Sequence, residues 1–439
     1  MTEFGGAVEK ISLKLLAKHC VDACVRGCKE IRAVAKRNKR VMDDDGNFAM
    51  KKEKIKHTFK DENDARSALT EADVNAQSVI IGALRKSYGE RLNIVGEEDG
   101  DANAKPREDE EKLRDDCFEF SKMEEVEDVE VRVGDCVVFV DPVDGTREFI
   151  EERYQNCQCL IGIAHKGRAV VGVVGIPFPK GEITKDCDVE ALAVVYGMCY
   201  EKEDEGGTVV RVLETCNETL LGNAAAAATT IALAETTKTK TTKTPTTNQQ
   251  QQQQKKQRVS SETTTPSSPY ILTTGDSKSK ALRAAVEVVE ECIRDDNAYP
   301  TPPERLITGG AGNKILRVAT GISPSSSSSQ QTPPTTTTPN DPSKQTKNAP
   351  PDCALMHMGT CAWDTAAPEA VLRASGGTVT DLFGSRLVYD CSNKNEAYVN
   401  ARGVLASSKR TVESGLHDMF CQKMRESETL LTLFGIDVL

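Results

Sequence analysis

The chain has 439 residues, 38% hydrophobic and only 5% aromatic, with a formal net charge of −11. That length allows two or three domains, or one large domain with insertions. The acidic balance argues against a duplex nucleic-acid binder, and no run approaches the ~18 apolar residues of a membrane span. Residues 6–37 read as an amphipathic helix, with Ile11, Leu15, Leu16, Cys20, Ala23, Cys24, Ile31 and Val34 recurring near helical period. Cys20, Cys24 and Cys28 fall at i, i+4 and i+8 beside His19, a spacing that could suggest a metal. Cysteine is a small, often buried residue, so these three are read as packing residues. The fifteen cysteines are scattered without scaffold spacing, which points to reduced thiols and a cytoplasmic compartment.

A second helix is signalled by SALTEADVNAQSVIIGALRKSYG, and LNIVGEEDG is a short strand ending in acids. Residues 100–130 are mostly charged and read as a mobile loop. DCVVFVD is a strand, CLIGIAHKGRAVVGVVGIPF a hairpin turning at Lys166-Gly167, and ALAVVYGMCY another strand. The Thr/Lys/Gln/Ser-rich segment 235–268 and the Ser/Thr/Pro/Gln-rich segment 323–350 hold too little apolar surface to offset ordering entropy, and both read as disordered insertions. ALRAAVEVVEECI is a helix between them, GGAGNKILRVATG a Gly-rich turn into a helix, and WDTAAPEAVLRASGG a further turn and helix.

The stretch CVVFVDPVDGTREF carries the chemistry. A buried strand ends at Asp141, where α/β sheets commonly place ligand groups. Pro142 stiffens the exit from the sheet, Gly145 permits a tight turn, and Thr146 can cap the next helix. Asp141, the Val143 carbonyl and Asp144 can then surround one point. Carboxylates converging on a point need a cation, and all-oxygen ligation favours Mg²⁺ or Mn²⁺ over zinc. An acidic surface turn is the plainer reading of an isolated Asp-Gly; the buried approach strand weighs against it. Glu97, Asp364 and Asp73 are further acids placed after a strand, beside the single tryptophan, and three residues after Thr70.

GEED (96–99), DPVDGT (141–146) and WDTAAPE (363–369), in this order, resemble the lithium-sensitive, magnesium-dependent phosphatase superfamily of inositol monophosphatase. LTEAD, CLIGIAHKGRAVVGVV, ILTTGDSKS, GGAGNKIL and GGTVTDLFG are most similar to its bisphosphate nucleotidase branch. The resemblance implies an α+β fold, the layered α/β/α/β/α sugar-phosphatase sandwich, with two or three Mg²⁺ ions per site. Glu97, Asp141 and the Val143 carbonyl would hold one ion, and Asp141, Asp144 and Asp364 a second. Asp73 and Thr146 would activate water, with Thr70 supporting Asp73. Ser277, Lys278, Ser279, Gly310 and Lys314 would bind the substrate. The implied parts are an N-terminal α+β part at 1–234 and a C-terminal α/β part at 269–439.

The implied reaction removes the 3'-phosphate of adenosine 3',5'-bisphosphate, and 3'-phosphoadenylyl sulfate is a related substrate. The chain departs from that branch at Gly275, Asp276 and Lys278, and again at Cys361 and Ala362 ahead of the Trp-Asp pair. An inositol polyphosphate 1-phosphatase is the rival enzyme, and a catalytically silent nucleotide-binding protein is the rival of another class. Oligomeric state is left open by the sequence.

Overall fold

The computed structural model describes residues 9–38, 57–59, 68–98, 111–183, 192–202, 208–216, 233–238, 269–295, 299, 301–321, 350–356, 359–390 and 398–436. All statements about what is present or absent concern these residues.

The strands are β1 (Lys10–Ser12), β2 (His57–Phe59), β3 (Ala68–Thr70), β4 (Asn93–Gly96), β5 (Glu130–Arg132), β6 (Cys136–Asp144), β7 (Gln158–His165), β8 (Arg168–Ile176), β9 (Ala193–Glu201), β10 (Thr208–Cys216), β11 (Leu233–Lys238), β12 (Ile271–Thr274), β13 (Glu304–Ile307), β14 (Cys353–Met356), β15 (Thr378–Thr380) and β16 (Val404–Ser407). The helices are α1 (Leu13–Asn38), α2 (Glu71–Tyr88), α3 (Ser121–Glu124), α4 (Thr146–Ile150), α5 (Lys280–Asp295), α6 (Ala311–Thr320), α7 (Ala362–Ala374), α8 (Lys409–Glu413), α9 (Leu416–Glu426) and α10 (Glu428–Leu433).

Two sheets organise the molecule. A seven-stranded sheet runs β11-β10-β9-β8-β7-β6-β4, and a five-stranded sheet runs β13-β12-β14-β16-β15. Period-two alternation sends successive side chains to opposite faces. In β6, Val138 and Val140 face the core under α1 and α2, while Val137 and Phe139 face the second sheet. In β14, Cys353 and Leu355 face α5 and α9, while Ala354 and Met356 face the first sheet. Helices α6 and α7 fill the middle, through Ile315, Leu316, Ala366 and Ala370. The layers are therefore α/β/α/β/α, the expected sandwich.

Helix α7 lies unusually close to the large sheet. Gly162, Gly172 and Gly197 sit side by side on β7, β8 and β9. A Cβ on Gly172 would lie 1.9 Å from the Ala367 carbonyl oxygen, and one on Gly197 2.6 Å from Val371 Cα. The missing side chains let a helix from the C-terminal part rest on the N-terminal sheet. The β7–β8 turn falls where the sequence places it: Lys166 has φ 49° and Gly167 φ 75°, as a two-residue primed turn requires.

Three expectations are corrected. Residues 10–12 are a strand paired with 130–132, so the first helix begins at Leu13. Of the charged segment 100–130, residues 111–130 pack onto the body. Leu113, Phe120, Met123 and Val126 are buried in the core there, and the Arg114 N–H donates to buried Asp22 at 3.2 Å. Apolar residues spaced among the charges anchor this part, and residues 100–110 lie outside the described residues. Residues 235–238 belong to β11, an edge strand paired on β10, where Thr236 and Thr237 suit a strand. The rest of 235–268 and residues 323–349 lie outside the described residues. No described helix is long and apolar enough to cross a membrane.

Candidate active site

Strand β6 delivers the first two carboxylates. Asp141 pairs opposite Leu160 and Asp144 opposite Gln158, with a bulge between them. Residues three apart on a regular strand face opposite sides. Pro142 has no N–H for the ladder, and the bulge resets the phase so both acids serve one site. Carboxylate oxygens of Asp141, Asp144 and Asp364 lie within 4.8 Å of one another.

Asp73 and Asp364 arrive by the same local device. Each is the third residue of a helix and accepts the N–H of its own N-cap, Thr70 for α2 and Cys361 for α7. This capping box fixes the carboxylate at the helix entrance. Thr70 also donates its hydroxyl to Asp73 Oδ2 at 2.5 Å, and Thr146 Oγ1 lies 3.0 Å from Asp73 Oδ1 and 3.1 Å from the Val143 carbonyl. Glu97 follows β4, and its N–H donates to the Val140 carbonyl at 3.0 Å.

The electrostatics ask for a cation. Burial raises Asp141 and Asp364 well above the ordinary carboxylate range, and Glu97 and Asp144 raise both further. Burial pushes Asp144 up to about 6, against the pull of Lys314 and three backbone N–H groups. Asp73 is also pushed up to about 6, by burial first. Asp141 Oδ1 is buried with no hydrogen-bond partner among the described residues. An orphaned carboxylate oxygen facing two more carboxylates fits a hard divalent cation bound by oxygens.

A cavity of about 580 Å³ opens over these groups. Glu97, Asp141, Val143, Asp144, Thr146, Asp364, Ser277, Gly310 and Lys314 all line it. Asp73 lies behind Thr146. Lys278 is exposed and stands outside the lining, and the Ser279 N–H donates to Ser277 Oγ at 3.3 Å. Gly310 has φ 73°, and a Cβ there would lie 2.7 Å from Asp144 Oδ2. Asp144 accepts the N–H of Ala311 at 2.8 Å and of Asn313 at 3.1 Å, so it also caps α6. Lys314 is buried, and its Nζ donates to the Gly310 carbonyl at 2.8 Å.

The inositol monophosphatase family model matches residues 18–322 and 352–429. The chain belongs to the inositol monophosphatase family. It is a phosphatase of that family; relatives matched over 77% or more of its length are named bisphosphate nucleotidases, and two matched over 12% are named putative inositol monophosphatase 3. The 3'(2'),5'-bisphosphate nucleotidase 1 of Rattus norvegicus is 28% identical over 345 residues, 77% of this chain and 78% of that protein. The Homo sapiens protein of the same name is 27% identical over 365 residues, 82% of each. The crystal structure of CysQ from Bacteroides thetaiotaomicron, a bacterial member of the inositol monophosphatase family, shares 16% identity at a TM-score of 0.43, covering 91% of this chain and 98% of that one.

This family member also shows site residues that sequence reasoning missed. Arg147 lines the cavity, and its guanidinium donates to Asp276 at 2.8 Å. The unexpected acid after β12 is thus matched by a cation from α4, which holds the Asp276 carboxyl below the ordinary range. Glu148 is gripped by Arg153 at 2.6 and 2.7 Å and by Asn156 at 2.8 Å. A Cβ on Gly309 would lie 2.2 Å from its carboxyl carbon. The charged pair after Gly-Thr, Arg147-Glu148, was the available signal for both anchors.

Proposed function

We propose that this phosphatase acts in the cytoplasm, where it removes the 3'-phosphate of adenosine 3',5'-bisphosphate in a Mg²⁺-dependent reaction that gives AMP and phosphate. The names of its relatives support the substrate class. The observation that carries the metal reading is the unpartnered Asp141 Oδ1 beside Asp144 and Asp364. Glu97, Asp141 and the Val143 carbonyl would hold one ion, and Asp141, Asp144 and Asp364 another. When bound, such a cation pair stabilises the attacking and leaving oxygens of an in-line displacement and eases loss of the water proton.

The chain's own groups handle that proton. Thr146 Oγ1 accepts it from the attacking water and passes its own to Asp73 Oδ1, 3.0 Å away. Asp73 Oδ2 is occupied by Thr70, so Oδ1 is the oxygen available. An affinity raised to about 6 suits a base working near neutrality. Water adds to phosphorus as the bond to the 3'-oxygen breaks, and that oxygen takes a proton from solvent in the open cavity to leave as the ribose hydroxyl. Lys314, Ser277 and Gly310 would meet the nucleotide's phosphates from the cavity wall, with Ser279 positioning Ser277 and exposed Lys278 reaching the rim.

Phosphate release by the full chain tests this, with adenosine 3',5'-bisphosphate and inositol 1,4-bisphosphate each supplied with and without Mg²⁺. We expect Mg²⁺-dependent release from the nucleotide in preference to the inositol. Preference for the inositol would move the assignment to the rival branch. No release from either substrate would remove the catalytic reading.

A further inference from the structure

The sequence pattern that placed Cys20, Cys24 and Cys28 on one helix finds a different partner in space. Cys24 and Cys28 are joined by Cys159 of β7, and the three sulfurs lie within 4.8 Å of one another. All three residues are fully buried and their thiols are free. Cys20 and His19 stand apart from this group, and the His19 ring is engaged with Tyr88.

The space around the sulfurs is shaped for them. Gly175 of β8 lies directly opposite Cys159. A Cβ on Gly175 would sit 2.5 Å from Cys28 Sγ and 2.6 Å from Cys24 Sγ. The sheet thus leaves out a side chain where two thiols of α1 descend on it. Arg32 follows at the next helical turn, so residues 24, 28 and 32 share one stripe of α1. Its side chain is buried, so the stripe ends in a cation beside the sulfurs.

We propose that Cys24, Cys28 and Cys159 form a three-sulfur site for a soft monovalent d¹⁰ cation, copper(I) being the type. Thiolates select such ions over hard divalent ones. No histidine or carboxylate groups with the sulfurs among the described residues, so the donor set is sulfur alone. Zinc would want a fourth ligand. A trigonal site with metal–sulfur bonds of about 2.3 Å needs sulfurs about 4 Å apart, so the cluster has under about 1 Å to close from its 4.8 Å limit. Copper(I) held by two thiolates and the third, neutral thiol displaces two protons from the three thiols. The resulting bis-thiolate unit carries one negative charge, which Arg32 matches. This centre is separate from the carboxylate site, whose oxygens suit hard cations.

The test uses the whole reduced chain, titrated anaerobically with copper(I) alone against a chromogenic copper(I) chelator. Wild type should retain one equivalent that Cys159→Ser and Cys28→Ser both lose and Cys20→Ser keeps. Copper K-edge absorption of the loaded wild type should show a sulfur-only shell, a readout that does not depend on any variant folding. Three results overturn the proposal: no retained copper in wild type, equal retention by wild type and both cluster variants, or a shell containing nitrogen or oxygen. Phosphate release in Mg²⁺ is a separate readout, so failure of one site leaves the other standing.

Discussion

Stripped of divalent cations, this protein should lose stability as pH rises toward neutrality. Asp73 and Asp144 are each raised from 3.8 to about 6, with burial the leading cause. A carboxyl that binds its proton more tightly when folded stabilises the fold fully below the unfolded value. That contribution disappears as pH climbs through the folded value. Moving a carboxyl from 3.8 to about 6 is worth about 3 kcal/mol per group, a large share of the ~5–15 kcal/mol that holds a typical domain. Asp141 and Asp364 are raised as well, by burial first, and add a loss of the same sign. Denaturant unfolding of chelator-treated protein between about pH 4 and pH 7 should show stability falling by up to about 1.4 kcal/mol per pH unit for each group between its unfolded and folded values. Asp141→Asn should flatten that slope and leave the metal-free protein more stable than wild type at neutral pH, although it removes a ligand. Saturating Mg²⁺ should flatten the wild-type slope as well. Chelated wild type that gains stability across this range would refute the reasoning, as would an Asn variant no more stable than wild type at neutral pH.

Gly172→Ala sets a Cβ 1.9 Å from the Ala367 carbonyl, so α7 must retreat by over about 1 Å, at roughly 1–3 kcal/mol for overpacking. Because α7 carries Asp364, kcat should fall about a hundredfold, whereas Gly134→Ala, which meets nothing within 4 Å, should leave both kcat and Tm unchanged. Lys314→Ala should lower kcat/KM for adenosine 3',5'-bisphosphate about ten- to a hundredfold and lower that for adenosine 3'-monophosphate much less. Equal losses on the two substrates would mean that Lys314 serves the cleaved phosphate or the fold. Asp276→Asn releases Arg147 Nη1 at the cavity rim while its Nε stays paired with Glu151, and steady-state kinetics should show KM for the bisphosphate lowered by at most about fivefold, the scale of an exposed ion pair.

Local signals were legible in the sequence where one element settles them. The β6 run, the Asp-Pro-Val-Asp-Gly-Thr exit and the Lys166-Gly167 turn needed no distant partner. Asp73, Glu97 and Asp364 were visible only as acids at element ends, and the family resemblance joined them to the site. What stayed hidden depends on which surfaces meet. The glycines at 162, 172 and 197 lie on three strands and form a row only once those strands pair. Cys159 is 131 residues beyond Cys28, and only the packing of α1 on β7 and β8 brings the two together. Residues 111–130 looked like solvent-exposed chain because charge outweighs four well-spaced apolar anchors.

Asp144 sits in a strand of the first sheet, yet it grips the amides of Ala311 and Asn313 in a helix that links two strands of the second. Whatever draws on its oxygens loads the opening turn of α6 at the same moment. The exchange rates of those two amides with solvent deuterium therefore become a gauge of site occupancy, readable in the middle layer of the sandwich without any turnover at all.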